Sequence, residues 1–222
     1  MKSYIKTLTI AGSDSGGGAG IQADLKTFAA LGCYGMSVIT ALTAQNTLGV
    51  QGVFPIPPEF VALQLLSVLD DMRADAVKTG MLHSAAVIEA IADELKKYLP
   101  LSLVVDPVMV AKDGSLLLEP SAIHSLQEKL FPLATLITPN LVEAESLLNY
   151  KITTKELMEQ AAQDLSQWGS QAVLLKGGHR EGHEGDDCLY LAEQKKWYWY
   201  SNPVVKTKNT HGTGCTLSAA IA

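Results

Sequence analysis

The chain has 222 residues and a formal net charge of -6 at pH 7. This length predicts one α/β domain with a single core. The negative charge argues against a nucleic-acid partner or an anionic membrane surface, and no apolar run reaches the roughly 18 residues of a membrane span. The three cysteines show neither paired nor metal-ligand spacing, which favours a reducing compartment and predicts a cytoplasmic location.

Short apolar runs alternate with amphipathic helical stretches along the chain. The apolar runs predict strands at 5–11, 34–42, 74–79, 101–106, 135–138 and 172–176. Helical periodicity lies between them, at 21–31, 58–72, 85–98, 121–130, 141–148 and 155–168. Two further runs, 186–191 and 196–200, predict a hairpin. Because the strands are apolar throughout and separated by helices, the pattern predicts an α/β fold with a mostly parallel sheet covered on both faces.

Glycine and polar residues follow the first predicted strands, at the edge where open α/β sheets bind ligands. The glycine-rich segment 12–20 fits neither a dinucleotide fingerprint nor a P-loop, which leaves a tight turn or a substrate site. After the second strand, Gln45 offers a donor and an acceptor that suit a pyrimidine edge, although amides are also common in turns. Met81, after the third strand, either walls an aromatic ligand or fills core.

Charged residues follow the later predicted strands. Asp106 precedes a proline at the sheet edge and suits either a hydrated cation or a turn cap. Asn140 and Glu143 form a capping-box pattern, and the same side chains are suited to phosphates and Mg²⁺. Lys176 ends the sixth strand before two glycines, where it can reach a nucleotide phosphate.

The segment 209–215 predicts an anion site with a reactive group beside it. Gly212 and Gly214 let backbone N–H groups converge before a helix-prone stretch that begins at residue 216. Cys215 falls in the first helical turn, where the helix dipole is expected to lower the pKa of its thiol. A base beside an anion hole suits phosphoryl transfer to an alcohol, whereas a glycine-rich turn with a small buried cysteine is the structural alternative. Of the five histidines, His211 lies within this segment, beside the predicted anion site.

Taken in order, these motifs resemble the hydroxymethylpyrimidine/phosphomethylpyrimidine kinase family of thiamine biosynthesis, within the ribokinase-like superfamily. The resemblance spans essentially the whole chain and rests on residues 11–24, 39–47, 78–82, 105–109, 138–143, 176–179 and 212–215. Cys215 stands where most sugar kinases of the superfamily carry aspartate, which resembles the pyrimidine and pyridoxal kinase branch.

The resemblance implies a three-layer α/β/α ribokinase-like fold, commonly a homodimer, that uses ATP and Mg²⁺. It implies phosphorylation of 4-amino-5-hydroxymethyl-2-methylpyrimidine to the monophosphate and then to the diphosphate. By the same resemblance, the pyrimidine pocket is formed by Gln45, Gly12, Asp24, Met81 and Val108. The resemblance also implies an anion hole formed by Gly212 and Gly214, with Cys215 as the base. It further implies that ATP is contacted by Lys176, Asn140 and Thr213 and that the metal is bound by Asp106 and Glu143.

One departure concerns length, since family members continue past the position that matches Ala222. The chain is therefore expected to be one kinase domain, 1–222, without its C-terminal segment.

Two alternatives to the pyrimidine kinase function remain open. A pyridoxal kinase would use the same fold, base and anion hole on a pyridine alcohol. A noncatalytic pyrimidine sensor would keep the pocket alone, although Cys215, Lys176 and Glu143 argue for catalysis.

Overall fold

Nine strands pair into one sheet in the computed structural model, which describes residues 4–110, 114, 117–178, 185–201, 203, 205, 207 and 209–222. The strands are β1 (Lys6–Asp14), β2 (Tyr34–Asn46), β3 (Gly49–Pro55), β4 (Ala76–Thr79), β5 (Ser102–Val105), β6 (Leu136–Ile137), β7 (Ala172–Leu175), β8 (Asp186–Leu191) and β9 (Lys196–Ser201). The helices are α1 (Gly20–Ala30), α2 (Pro58–Asp71), α3 (Ala85–Leu95), α4 (Ala122–Ser125), α5 (Leu141–Leu148), α6 (Lys155–Ser166) and α7 (Thr213–Ile221).

The sheet has the order β3-β2-β1-β4-β5-β6-β7-β8-β9. Within this sheet, the six adjacent strands β2, β1, β4, β5, β6 and β7 run parallel to one another. Only the outer strands β3, β8 and β9 pair antiparallel with their neighbours within the described residues. Helix α1 packs against α7, while α2, α3 and α4 pack in sequence against one another. The predicted mostly parallel α/β fold and the β8–β9 hairpin are confirmed.

Strand β3 was not predicted from the sequence. Its two glycines and its terminal proline resemble turn residues, but an edge strand tolerates them because one side of it needs no ladder partner. Pairing with β3 also extends β2 to Asn46, beyond the predicted end at residue 42, so that Gln45 lies opposite Val50 inside a strand. The prediction that Gln45 follows the strand was therefore wrong.

The predicted helices are confirmed, with differences at their ends. The predicted helix 85–98 ends as α3 at Leu95 and continues as the 3₁₀ turn Lys96–Tyr98. The predicted helix 121–130 divides into α4 and the π-helical turn Leu126–Leu130. Such turns are common where helices end, and boundaries are the least certain part of a pattern.

Side-chain caps explain where three helices begin. Ser84, Asn140 and Thr154 accept hydrogen bonds from the backbone N–H groups of the first turns of α3, α5 and α6. The interior strands are buried on both faces, and β1 and β4 carry fully buried polar side chains toward their carboxyl ends.

None of the helices in the described ranges is long and apolar enough to cross a membrane. His179, the last residue of the 176–179 motif, lies outside the described residues.

Candidate active site

A small cavity, open to solvent at its mouth, lies at the carboxyl ends of β1, β2 and β4. The chain passes from β1 to β2 on one side and later returns to β4 on the other side of β1. The cavity therefore occupies the switch point where open α/β sheets bind ligands. It is lined by five of the predicted site residues, Gly12, Gln45, Met81, Val108 and Cys215.

Gly12 and Met81 form an apolar wall of this cavity. The N–H of Gly12 donates to the Met81 carbonyl at 3.1 Å. A Cβ at position 12 would lie 2.9 Å from Met81 Sδ, closer than a real Cβ contact allows. A larger residue at position 12 would displace the thioether, so glycine is needed there to keep the wall in place.

Gln45 is held at its backbone by Ser15 and at its carboxamide by Thr43. The backbone N–H of Gln45 donates to Ser15 Oγ at 2.9 Å, and the Ser15 hydroxyl lies 2.8 Å from the Gln45 carbonyl oxygen. Thr43 Oγ1 lies 3.1 Å from Gln45 Oε1 and 2.8 Å from the Ser13 carbonyl oxygen. The Thr43 contact engages the carboxamide oxygen and leaves the NH₂ group available for a ligand in the cavity.

Asp24, which was predicted to shape the pyrimidine pocket, is not among the residues that line the cavity. Its carboxylate is fully buried and accepts hydrogen bonds from Lys78 Nζ at 2.9 and 3.0 Å and from Thr9 Oγ1 at 2.6 Å. The buried face of α1 turns position 24 toward the sheet, beside Ile21 and Phe28. Asp24 therefore acts on the site through Lys78.

Lys78 is a site residue that sequence reasoning missed. It has no exposed surface, yet it lines the cavity together with Cys215. Burial acts to lower the pKa of Lys78, but Cys215, Asp24 and Asp106 outweigh that effect and hold the pKa above its ordinary value. Lys78 therefore brings a fixed positive charge to the cavity wall. A lysine within the short buried strand β4 was the available signal, since lysine is almost never fully buried without a partner.

The start of α7 carries the glycines of the predicted anion site. Gly212 has φ +75°, and a Cβ there would lie 1.7 Å from the Gly18 carbonyl oxygen, so only glycine fits. The helix begins at Thr213, earlier than the predicted residue 216, so Gly214 and Cys215 belong to its first turn. Their N–H groups have no intrahelical acceptor and can point at a bound anion. Thr213 is exposed, and its hydroxyl donates to the Thr210 carbonyl at 3.1 Å.

The expected lowering of the Cys215 pKa was wrong. Burial of the sulfur raises the pKa of the thiol, Lys78 opposes it, Asp106 and Asp24 add to it, and the Gly20 N–H opposes it again. The net direction is upward because removing a thiolate from water outweighs the favourable field of one helix end and one ammonium. Burial therefore favours the thiol form of Cys215, and the ammonium of Lys78 favours the thiolate.

Asp106 and Lys176 lie beside Gly214. Lys176 Nζ donates to Asp106 Oδ1 at 3.0 Å, and a Cβ on Gly214 would lie 3.4 Å from Lys176 Nζ. Asp106 also accepts hydrogen bonds from the hydroxyls of Thr138 and Ser218, each at 3.2 Å. The fixed ion pair keeps the Lys176 ammonium within reach of an anion held at the start of α7.

Asn140 and Glu143 form the predicted capping box of α5. Asn140 Oδ1 accepts the Glu143 N–H at 2.9 Å, and Glu143 Oε2 accepts the Asn140 N–H at 2.8 Å. Glu143 is buried, and this burial, reinforced by the charge of Asp106 and opposed by Lys176, raises the pKa of its carboxyl to about 7. The carboxylate that caps the helix thus also faces a second buried carboxylate.

The carboxylates of Asp106 and Glu143 fit a Mg²⁺ ion. Their mutual repulsion, which contributes to the raised pKa of Glu143, is relieved by a nearby divalent cation. Mg²⁺ is usually held by one or two carboxylates, with water and substrate phosphates completing its shell. Among the residues that the structure describes, no group of three or more His, Cys, Asp and Glu side chains is placed to hold a metal.

Glu143→Gln is expected to change how stability depends on pH. The Glu143 pKa is about 7 in the folded protein against an ordinary 4.5, so the folded state retains a proton that the unfolded state loses. The stability that this proton contributes is present below about pH 4.5 and is lost as pH rises through 7. The substituted glutamine side chain keeps the capping hydrogen bond without the charge. Wild-type stability should therefore fall relative to the variant by roughly 2–3 kcal/mol between pH 5 and 8.

Urea denaturation of both proteins across this pH range measures the difference. Glu145→Gln is a matched control on the same helix. Burial acts to raise the pKa of Glu145, but the Ile152 N–H and Lys151 outweigh it and lower the pKa, so its stabilising contribution is lost as pH falls instead. A constant difference between wild type and Glu143→Gln would contradict the expectation.

A second missed feature joins distant parts of the chain. His211 Nε2 lies 2.8 Å from Asp14 Oδ2, a contact that spans 197 residues. Burial acts to raise the pKa of Asp14, but His211 and the N–H groups of the following loop outweigh it and lower the pKa. Local sequence patterns carry no signal for a pair so far apart.

The fold places the chain among small-molecule kinases of the ribokinase-like fold, as its similarity to solved structures shows. The crystal structure of a phosphomethylpyrimidine kinase from Clostridium difficile matches with a TM-score of 0.85 and 47% identity, over 98% of this chain and 88% of that one. An ADP complex of a Bacillus subtilis pyridoxal kinase matches with a TM-score of 0.88 and 40% identity, over 99% of this chain and 82% of that one.

The family model described as phosphomethylpyrimidine kinase matches residues 14–222, and the chain belongs to this family. The hydroxymethylpyrimidine/phosphomethylpyrimidine kinase of Escherichia coli is 53% identical over 220 residues, which are 98% of this chain and 82% of that protein. A thiamine biosynthesis bifunctional protein of Geobacter sulfurreducens is 54% identical over 215 residues, which are 97% of this chain but 44% of that protein. The predicted family and the phosphotransferase class are confirmed.

Proposed function

We propose that this protein phosphorylates 4-amino-5-hydroxymethyl-2-methylpyrimidine with ATP, first to the monophosphate and then to the diphosphate. The observation that carries the proposal is the cavity, which is lined by both Gln45 and Cys215 and lies next to the start of α7. The sequence supports this substrate over pyridoxal, because identity is 53% to the Escherichia coli pyrimidine kinase and 40% to the Bacillus subtilis pyridoxal kinase.

Gln45 is proposed to recognise the aminopyrimidine. Ser15 fixes the backbone of Gln45 and Thr43 contacts its carboxamide oxygen, so little freedom is lost when a ligand binds. An amide offers both a donor and an acceptor, which matches a ring nitrogen beside an exocyclic amino group. Met81 and Val108 supply apolar surface for the faces of the ring.

In the first transfer, the acceptor hydroxyl loses its proton as the phosphoryl group arrives, and Cys215 is proposed to take that proton. The fixed charge of Lys78 favours the thiolate form and offsets part of the burial of the sulfur. The first-turn N–H groups of Gly214 and Cys215, with the turn at Gly212, would stabilise the negative charge on the transferring phosphoryl group.

In the second transfer, the acceptor is a phosphate that is already ionised at neutral pH. This step needs the anion site but no general base. One site can therefore serve both reactions, with Cys215 required mainly in the first.

The nucleotide phosphates are proposed to contact Lys176, Asn140 and Thr213, which lie around the start of α7 and the start of α5. Asp106 and Glu143 would hold Mg²⁺. The ion would supply neutralisation of phosphate charge. ADP in a related kinase structure supports the use of ATP.

The proposal extends to one kinase domain over residues 1–222, in a cytoplasmic homodimer that binds neither nucleic acid nor membrane. The unbroken sheet supports the single domain. Large apolar side chains that remain exposed on β2, β3 and α2 support association, namely Leu42, Phe54, Phe60 and Leu63. Sedimentation equilibrium measures the oligomeric state.

The proposed function is tested by incubating the protein with the pyrimidine alcohol and Mg-ATP and detecting products by mass. Both the monophosphate and the diphosphate are expected. Gln45→Ala is the matched variant, because truncation leaves the amino edge of the ligand unpaired at a cost of about 1–3 kcal/mol in pyrimidine binding while ATP binding is spared. Absence of both products from the wild-type reaction would contradict the kinase proposal. If Gln45→Ala lost affinity for the pyrimidine and for ATP equally, the variant would be misfolded.

A further inference from the structure

Asp14 is an unusually well satisfied buried carboxylate at the end of β1. Its side chain is 2% exposed. Oδ1 accepts the N–H of Gly16 at 2.8 Å, and Oδ2 accepts the N–H groups of Gly18 and Ala19 at 2.9 and 2.8 Å. These bonds fold residues 15–19, here called the glycine loop, around the carboxylate. A carboxylate that accepts several backbone N–H groups is a rigid anchor, because its bonds are charge-assisted.

His211 adds a fourth donor to this anchor from the far end of the chain, with Nε2 at 2.8 Å from Oδ2. His211 directly precedes Gly212, whose backbone lies against the glycine loop so closely that a Cβ would reach within 1.7 Å of the Gly18 oxygen. The turn that opens the anion site therefore rests on the glycine loop, and His211 is the polar side chain that ties the two together.

The same glycine loop also reaches the pyrimidine side of the cavity. Ser15, within the loop, exchanges hydrogen bonds with the backbone of Gln45. Asp14 and Ala19 line the cavity itself. The loop thus lies between the side chain proposed to read the pyrimidine and the turn proposed to bind phosphate.

We propose that His211, through its hydrogen bond to Asp14, is a positioning residue that fixes the phosphate-binding turn at Gly212 against the glycine loop. It sets the distance between the acceptor group and the transferring phosphoryl group. This inference rests on the proposed function. A displacement near 1 Å in such a geometry can reduce a rate by about 10²-fold, even when the substrates still bind.

The role predicts a separation of kinetic constants. His211→Ala should lower kcat by roughly 10- to 100-fold and leave KM for the pyrimidine alcohol within about 2-fold, because the glycine loop keeps its own bonds to Asp14. His211→Gln should recover most of kcat, since its Nε2 donor reaches the position of the imidazole Nε2. Asp14→Asn should affect both kcat and the KM for the alcohol, because it also disturbs the loop that holds Gln45. His124→Ala, which removes an exposed histidine, is the control.

Steady-state kinetics of these variants test the proposal. Unchanged kcat in His211→Ala would overturn it, and so would a Gln variant no better than Ala, because the imidazole itself would then be required. If His211→Ala does not fold, His211→Gln is compared with His211→Asn, whose shorter amide cannot reach Asp14, and equal kcat values would overturn the proposal.

A binding experiment separates this inference from the proposed function. The affinity of a nonhydrolysable ATP analogue is compared with that of AMP, which lacks the β- and γ-phosphates. His211→Ala should weaken the analogue by roughly 5- to 20-fold and leave AMP unchanged, because only the phosphate-binding turn is displaced. This result would support the positioning role even if the wild-type protein gave no phosphorylated pyrimidine, and equal weakening of both nucleotides would overturn it.

Discussion

Cys215→Ala is expected to slow phosphorylation of the pyrimidine alcohol by roughly 10²- to 10⁴-fold, the usual contribution of a positioned general base. Conversion of the monophosphate to the diphosphate should slow far less, because that acceptor carries no proton that must be removed at neutral pH. Gly212 and Gly214 still provide the anion site for both reactions. Single-turnover rates measured separately from the alcohol and from the monophosphate give the comparison.

The raised pKa of Cys215 sharpens this expectation. Since burial holds the pKa above its ordinary value, the thiolate fraction increases with pH across the range 7–9, and the alcohol step should accelerate accordingly. The acceleration should be absent from Cys215→Ala. Cys33→Ala, at a partly exposed cysteine, is the control and should leave both rates unchanged. Equal slowing of the two steps would remove the base assignment and leave Cys215 as a packing residue beside the anion site.

Lys78→Met is expected to destabilise the protein by about 3–5 kcal/mol, the usual effect of removing one partner from a buried ion pair. Neither side chain of the Lys78–Asp24 pair has any exposed surface, so water cannot replace the lost ammonium. The Asp24 carboxylate would keep the Thr9 hydroxyl as a donor, and one neutral donor does not compensate a buried charge. The free energy of unfolding in urea measures the effect.

Two further variants show whether the buried charge is the cause. Adding Asp24→Asn to Lys78→Met removes the uncompensated charge and keeps an acceptor for Thr9, so most of the lost stability should return. Lys96→Met breaks the exposed Lys96–Asp93 pair and should leave stability unchanged within error, since surface pairs contribute little. Failure of the double variant to recover stability would point to lost packing of the lysine stem instead.

Local patterns predicted the parts of the fold that local interactions decide. Helix α5 was predicted to the residue, because the capping box at Asn140 and Glu143 lies entirely within four adjacent positions. Strand β3 was missed, because its glycines and proline are acceptable only at a sheet edge, which is a property of the whole sheet. Propensity therefore failed where tertiary position determined which residues the strand could carry.

The candidate site was likewise predicted where local patterns decide it and missed where distant contacts do. Gly12, Gln45, Met81 and Val108 reach one cavity because they lie on or just after strands whose carboxyl ends share one edge of the sheet, and Cys215 reaches it from the start of α7. The burial of Asp24 behind Lys78 depends on a contact between residues 54 positions apart, which no spacing rule contains. The direction of the Cys215 pKa was misjudged for a related reason, since the helix dipole can be inferred from sequence, whereas the burial of the sulfur depends on everything packed around it.

The 197 positions between Asp14 and His211 impose an order on translation. A ribosome releases the chain from its amino end, so β1, β2 and β4, with the Met81 that follows β4, leave the exit tunnel long before α7 is made. The cavity residues of the first strands are thus made well ahead of the turn at Gly212. Until His211 is made, the described donors to the Asp14 carboxylate are backbone N–H groups of its own loop. The tie between the glycine loop and the start of α7 is therefore among the last contacts that the growing polypeptide can form.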